Sequence, residues 1–362
     1  MGQPHGIGIV GLGVISAQYL ATLGEHPDVR IVATADLDHA RAEEVANGID
    51  GCRALSVADL VADPAVQTVV NLTVPAAHAE IASAALAAGK DVFGEKPLAA
   101  TLADARRVVE ARGGAWLGCA PDTVLGTGVQ TARAALEAGA IRRPVAATAT
   151  WVSAGHEAWH PHPDFYYREG GGPLLDMGPY YLTTLFHLLG PVARVSGASS
   201  RPRDARTIAS GPRAGEVIPV EVDTHVSGVL EHVGGAVSTV TFSFDAPVSD
   251  AAPIEVYGET GTLSVPDPNL FDGDVRVRTG RHDEWHAVTE RAGYEHAGRG
   301  IGILDRVRTG SDRTDADIAL HVLEVMTALQ ESARTGTRVD IETRPVPPSV
   351  VPFTDEERWR AG

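Results

Sequence analysis

The chain has 362 residues, 44% hydrophobic and 21% charged, a globular composition whose length suits two α/β domains better than one core. Its net charge of −17 repels nucleic acid and anionic membrane, so neither is expected as a partner and a small neutral substrate fits better. Two cysteines, Cys52 and Cys119, make no disulfide framework, and no apolar run reaches the ~18 residues of a membrane span.

In chain order, residues 6–10 read as a buried parallel strand and not as a signal peptide, since no basic segment or cleavage site accompanies them; a cytoplasmic protein is the expectation. The strand runs into Gly11-Leu12-Gly13-Val14-Ile15-Ser16 and a helix through Leu23. Gly11 makes the tight turn, Gly13 lets a pyrophosphate approach the backbone, and Ser16 stands where a third small residue is needed for helix–strand packing. With Val14 and Ile15, these residues form a dinucleotide loop against a helix N-terminus, where free N–H groups favour an anion. A second strand, 29–35, ends at Asp36, a carboxylate suited to the ribose hydroxyls and repelling a 2′-phosphate; NAD is therefore expected over NADP, although Arg41 nearby could receive that phosphate.

Alternation then continues. Helices are expected over 58–62, 76–88 and 101–111, and strands over 68–72, 91–93 and 115–119, which makes a parallel, doubly wound sheet. Ligands bind at the carboxyl ends of such strands, where Thr73-Val74-Pro75, with His78 behind it, and Gly94-Glu95-Lys96-Pro97 both fall. His78 reads equally as a cofactor contact or a local cap, and Glu95 as a supporting residue beside the cofactor. Of the 30 basic residues only Lys90 and Lys96 are lysine. Arginine cannot give up its proton near neutrality, whereas a cleft lysine can be tuned, so Lys96 is a candidate for chemistry. Lys90, in a helix-to-strand turn, reads as a surface charge.

After Pro121 the pattern changes. A helix over 128–137, a strand over 145–153 and a helical block over 170–189 precede alternating segments at 192–199, 222–230, 237–244, 254–257, 262–265 and 275–278. Period-two alternation rich in Val and Thr predicts a mainly antiparallel open sheet with one covered face. A helix spans 313–335, with His321 among Leu320, Leu323 and Met326 as a core or interface histidine, and 344–352 is extended. The expected organisation is a Rossmann domain over 1–121, an α+β substrate and dimerisation domain over 122–345, and an extended tail over 346–362.

Taken together, Gly11-Leu12-Gly13, Asp36, Asn71 to Pro75 with His78, Glu95-Lys96-Pro97 and Gly170-Gly171-Gly172-Pro173-Leu174-Leu175-Asp176-Met177-Gly178 resemble the Gfo/Idh/MocA family of NAD(P)-dependent sugar and polyol oxidoreductases. The resemblance spans nearly the whole chain. It implies that Lys96 lies beside nicotinamide and substrate, that Asp176 faces the substrate, and that subunits pair through the open sheet as a homodimer or homotetramer. The family's usual histidine four residues after the aspartate is Tyr180 here. Such D-x-x-x-Y forms resemble the glucose–fructose oxidoreductase and dimeric dihydrodiol dehydrogenase branches, which implies tyrosine as acid/base and makes an inositol dehydrogenase a poorer match.

Lys96, Asp176 and Tyr180 are thus the expected catalytic residues. A phenol is a weak base alone, and a neighbouring ammonium would favour its phenolate. Asp176 and Tyr180, one turn apart, share a helix face, and Asp176 could orient Lys96 or a substrate hydroxyl. Residues 155–167 offer three histidines and two acids, but in a proline-broken loop without ligand spacing, so no metal is expected. The loop reads instead as a carbohydrate or polyol contact through His156, His160 and Trp159, with Asp122 reaching the same substrate. Two other functions fit the same motifs: redox-assisted glycoside cleavage with NAD recycled, and a non-catalytic dinucleotide-sensing regulator.

Overall fold

The computed structural model describes residues 3–362, which divide into two compact units. The first comprises Met1–Thr127, Ala292–Leu320 and Pro348–Gly362; the second comprises Gly128–Arg291 and His321–Pro347. The change at residue 127 lies close to the expected boundary at 121. The later segments differ from expectation, because 292–320 and 348–362 fold with the nucleotide-type sheet and not with the second domain.

In the first unit, β1 (His5–Val10), β2 (Val29–Ala35), β3 (Arg53–Ala54), β4 (Thr68–Asn71), β5 (Asp91–Gly94) and β6 (Leu117–Cys119) form one parallel sheet. Its order is β3-β2-β1-β4-β5-β6. The strands are near-continuous apolar runs because helices cover both faces of a doubly wound sheet. Those helices are α1 (Ser16–Leu23), α2 (His39–Asn47), α3 (Val57–Ala62), α4 (Pro75–Ala87) and α5 (Leu102–Ala111). Side-chain caps start three of them: Asp38 for α2, Ser56 for α3 and Thr101 for α5. The chain order reverses between β1 and β4, which places the ligand-binding crevice of this topology at their carboxyl ends.

The second unit begins with α6 (Thr127–Glu137) and holds α7 (Pro173–Leu189) against β7 (Pro144–Val152), β11 (His225–His232) and β12 (Val237–Ser243). These strands belong to a nine-stranded sheet with β8 (Val192–Ser200), β13 (Ile254–Gly258), β14 (Thr262–Val265), β15 (Arg276–Arg278), β16 (His286–Ala287) and β17 (Val339–Asp340), in the order β16-β15-β14-β13-β7-β12-β11-β8-β17. Only the β7–β12 pair is parallel. On β12, Ser238, Val240 and Phe242 are buried while Val237 and Thr239 are exposed, the one-sided alternation expected of an open sheet. A separate hairpin joins β9 (Ala205–Thr207) to β10 (Val217–Pro219).

Two helices close the chain's course. The first, α8 (Ile301–Thr309), lies in the first unit, and the second, α9 (Ala316–Thr335), begins there and continues in the second. The expected extended tail instead ends in α10 (Glu356–Arg360), capped by Asp355. Its Trp359 is wholly buried, stacked on His26 with planes 6° apart, and donates its indole N–H to Glu295 O at 2.7 Å. Among the described residues no helix is long and apolar enough to cross a membrane.

Candidate functional site

At the carboxyl end of β1, Gly11 has φ +89°, and a Cβ there would lie 2.8 Å from the Leu72 and Thr73 backbone, so only glycine fits the turn. A Cβ at Gly13 would meet nothing within 4 Å, so the protein's own packing does not demand glycine there; its absence leaves the ground before α1 open. Ser16 is buried and bonds back to Gly13 O at 2.7 Å, closing the loop. The first turn of α1 has no side-chain cap; its Ser16 and Gln18 N–H groups donate to Gly13 O and Ile15 O at 3.1 and 3.0 Å. Asp36 Oδ2 accepts the Leu12 N–H at 2.7 Å and Oδ1 accepts the Asp38 N–H at 2.9 Å, which fixes the carboxylate at the end of β2. Arg41 pairs with Asp36 and Asp38 at 3.7 and 3.6 Å, so it is already engaged by carboxylates.

Among the described residues of this unit the large apolar side chains left exposed are Val14, Leu37 and Val74, which follow β1, β2 and β4 respectively. Three apolar side chains beside three strand ends, with a fixed carboxylate and an uncapped helix, fit the adenine, ribose and pyrophosphate of a dinucleotide. Thr73 and Pro75 stand on the same edge, and Thr73 Oγ1 donates to Asn71 Oδ1 at 2.7 Å.

Lys96 follows β5, half-buried, with Glu95 beneath it. The Glu95 carboxylate is 8% exposed; Oε1 accepts the Tyr19 hydroxyl at 2.8 Å and Oε2 accepts the Lys96 N–H at 3.0 Å. Burial, and then the Glu95 charge, push the Tyr19 phenol well above its usual pKa, so it stays a donor. Glu95 thus supports the Lys96 turn, holding both Tyr19 and the turn's backbone. His78, read equally as a cofactor contact or a local cap, makes local bonds. It is buried, with Nε2 2.9 Å from Thr73 O and Nδ1 2.7 Å from Pro97 O, its ring set between the two loops.

Asp122 departs from expectation. Wholly buried in the first unit, its Oδ2 accepts the N–H groups of Gly300 and Gly302 at 2.8 and 3.2 Å, at the start of α8, with Arg299 4.0 Å away. Burial raises its pKa above the usual carboxylate range. Such an acid anchors a helix start and has no face for substrate. Lys90, as expected, lies in its turn and bonds Asp63 O at 2.8 Å.

In the second unit, the triple glycine seats α7. A Cβ on Gly171 would stand 2.5 and 2.6 Å from Phe165 O and Tyr166 O, and Gly172 turns into the helix at φ +93°. Asp176 lies in the first turn of α7, and Tyr180, 5% exposed, one turn later. The neighbouring Tyr181 is otherwise occupied: its hydroxyl donates to Asp267 Oδ1 at 3.2 Å, its ring meets Phe242 edge-on, and burial pushes its pKa far up.

Asp176 Oδ2 is 2.7 Å from His156 Nε2. The His156 ring is boxed by Tyr166, Phe244, Trp159 and Trp151 at centroid distances of 4.1, 4.8, 5.3 and 6.1 Å. Beside it, Glu157 accepts from Arg206 Nη1 at 2.7 Å and from the Tyr167 hydroxyl, and Arg206 Nη2 reaches Asp245 Oδ1 at 2.5 Å. Trp159 is 59% exposed, and His160 lies between it and Phe165. Burial and then the neighbouring His156 hold His160 below the ordinary imidazole range. Among the described residues no group of three or more His, Cys, Asp and Glu is arranged to hold a metal ion.

Comparison with known proteins matches residues 5–113 to the "Oxidoreductase family, NAD-binding Rossmann fold" of GFO/IDH/MocA proteins, and residues 129–264 to the "GFO/IDH/MocA C-terminal domain". This chain belongs to the GFO/IDH/MocA oxidoreductases. It is 28% identical to the bovine (Bos taurus) trans-1,2-dihydrobenzene-1,2-diol dehydrogenase over 77% of this chain and 78% of that protein. A 1,5-anhydro-D-fructose reductase of Ensifer adhaerens is 29% identical over 71% of this chain and 74% of the reductase. An inositol 2-dehydrogenase of Saccharopolyspora erythraea reaches 40%, but over 28% of this chain and only 32% of that enzyme. Among solved structures, an NAD-binding oxidoreductase from Klebsiella pneumoniae superposes with a TM-score of 0.80 at 23% identity, covering 94% of this chain and 100% of that one. The apo form of levoglucosan dehydrogenase gives 0.78 at 21%, covering 95% and 100%.

The family model is of an NAD-binding Rossmann fold, and the Gly11, Gly13 and Asp36 geometry agrees with that cofactor. Sequence reading had not found Tyr19 or Arg206. Each is a long-range partner, 76 residues from Glu95 and 49 from Glu157. The one signal for Arg206 would have been a charged residue at the buried centre of a short strand.

Proposed function

We propose that this chain oxidises, or in reverse forms, a secondary alcohol of a sugar, glycoside or polyol with NAD, using Lys96, Asp176 and Tyr180 to hold and move the hydroxyl proton. NAD, when bound, supplies the hydride acceptor. The carbinol C–H bond breaks as a hydride, the O–H proton passes to the protein, and a C=O bond forms. Tyr180 receives that proton at its phenolic oxygen with Lys96 as its proton-transfer partner, and Asp176 accepts from a substrate hydroxyl to orient the ring. The observation that carries this reading is the Asp176 mount: a carboxylate one turn before a buried tyrosine, held at 2.7 Å by an imidazole that four aromatic rings enclose. The relatives aligned over most of the chain are named for a diol dehydrogenase and an anhydro-sugar reductase, both acting at carbinol or carbonyl carbon.

His160 and Trp159 join the substrate loop in this reading, with imidazole for hydroxyls and indole for a sugar face. His156 acts chiefly through Asp176. We also propose a homodimer or homotetramer through the open sheet face, where Val229 and Val237 are 41% and 40% exposed on adjacent strands. The functional reading is tested by incubating the enzyme with NAD over a panel of sugars, glycosides and polyols. Accumulating NADH supports it; aglycone release with no net NADH would point to redox-assisted cleavage instead.

A further inference from the structure

We infer that Tyr19, on the dinucleotide-binding helix, is a positioning residue for Lys96, acting through Glu95. The inference deepens the proposed function and rests on Lys96 handling the proton. Tyr19 is fully buried on α1, and its hydroxyl donates to Glu95 Oε1 at 2.8 Å. The other oxygen, Oε2, takes the Lys96 N–H at 3.0 Å, so one carboxylate joins the helix to the lysine turn. A second pin holds the next residue of that turn, since His78 Nδ1 is 2.7 Å from Pro97 O. Packing keeps the tyrosine in place: its ring lies 6.3 Å from that of Phe93, which precedes Gly94 on β5. Beneath the pair lie the buried Asp122 and Arg299, whose charges both act on the Tyr19 hydroxyl.

The arrangement has a chemical logic. The β1 strand leads into α1, and the Lys96 turn follows β5, two strands along in the same parallel sheet. A hydrogen bond to a charged group is among the stronger ones and directional, so the Tyr19–Glu95 pair fixes the lysine backbone relative to the helix that seats the cofactor. Removing only the hydroxyl leaves the ring packing and the glycine loop intact. The turn then loses one of its two pins, and misplacement of a reacting group by about an ångström costs roughly 10- to 100-fold in rate.

The test uses Tyr19→Phe and Glu95→Ala in the full-length enzyme. Because Lys90 and Lys96 are the only lysines, reductive methylation with ¹³C-formaldehyde gives two side-chain NMR signals, and Lys90→Arg assigns them. In Tyr19→Phe we expect the Lys96 signal to move while that of Lys90 stays, and kcat to fall roughly 10- to 100-fold with KM for NAD within about twofold. Tyr19→Phe/Glu95→Ala should be no slower than Glu95→Ala, since both changes break one link. Should Tyr19→Phe not fold, Glu95→Ala carries the same NMR and kinetic readouts from the other side of the bond. An unmoved Lys96 signal with unchanged kcat overturns the inference, as does a rise in KM for NAD without loss of kcat, which would make Tyr19 a helix-packing residue only. Wild-type turnover in Lys96→Ala would instead overturn the role of Lys96 itself.

Discussion

Replacing Arg206 by methionine tests whether the loop bearing His156 is held by a buried ion triad. The Arg206 side chain is 1% exposed and makes four bonds: Glu157 Oε1 at 2.7 Å, Asp245 Oδ1 at 2.5 Å, and the carbonyls of Ala154 and Phe244, both at 3.1 Å. Methionine fills similar volume but leaves two carboxylates, of 10% and 13% side-chain exposure, without their cation. Breaking a buried pair by removing one partner costs about 3–5 kcal/mol, because the remaining charge stays desolvated. Against a total stability of about 5–15 kcal/mol this is large, and for a unit of this size it lowers Tm by roughly 10 °C. Urea unfolding followed by tryptophan fluorescence measures it, with Trp151 and Trp159 close to His156. Neutralising the stranded acids in Arg206→Met/Glu157→Gln/Asp245→Asn should recover much of the loss. A single variant within about 1 kcal/mol of wild type would refute the triad as the mount.

Two further outcomes follow from the same physics. Burial holds His187 down to about 3, helped by the adjacent Arg133, and His321 down to about 4, where Arg344 and His232 act with burial and Glu324 opposes. Both are neutral in the fold but take a proton near 6.5 when unfolded, so stability is complete above pH 6.5 and falls as pH drops towards 4, by about 3 kcal/mol for each by then. Urea titrations at stepped pH check this, and a flat profile between pH 6.5 and 4 would contradict it. At the cofactor site, Asp36→Ala should raise KM for NAD and lower that for NADP, since it removes both the ribose acceptor and the charge opposing a 2′-phosphate; parallel kinetics with the two cofactors show whether it does.

The parallel sheet was legible because its strands are short apolar runs separated by alanine-rich helices, and Gly11, Gly13 and Asp36 stand at spacings that only a turn, an open approach and a strand end explain. The helix α2 was not, since its charged face and low apolar content hide the period, although Asp38 caps it as such residues do. Asp122 misled for a different reason: its place after the last strand of the sheet is a ligand edge in general, but here α8, 178 residues further on, returns to it. His156 was recognised as a candidate from its type and Asp176 from the family resemblance, yet their 2.7 Å bond depends on the turn at Gly171 and Gly172, which no periodicity reports. Tail residues 346–362 looked extended because of their prolines, whereas one buried tryptophan, Trp359, stacked on His26, folds the end of the chain onto the first unit.

The central claim is NAD-linked oxidation of a secondary hydroxyl, with Lys96 and Tyr180 as the proton-transfer pair and Asp176 orienting the substrate. Its most direct test is NADH formation by wild type, Lys96→Ala and Tyr180→Phe over one sugar and polyol panel under identical conditions. The account predicts NADH from at least one substrate with wild type and a loss of kcat of about 100-fold or more in each variant, with little change in KM for NAD. It is contradicted if no substrate yields NADH, or if either variant turns over at the wild-type rate.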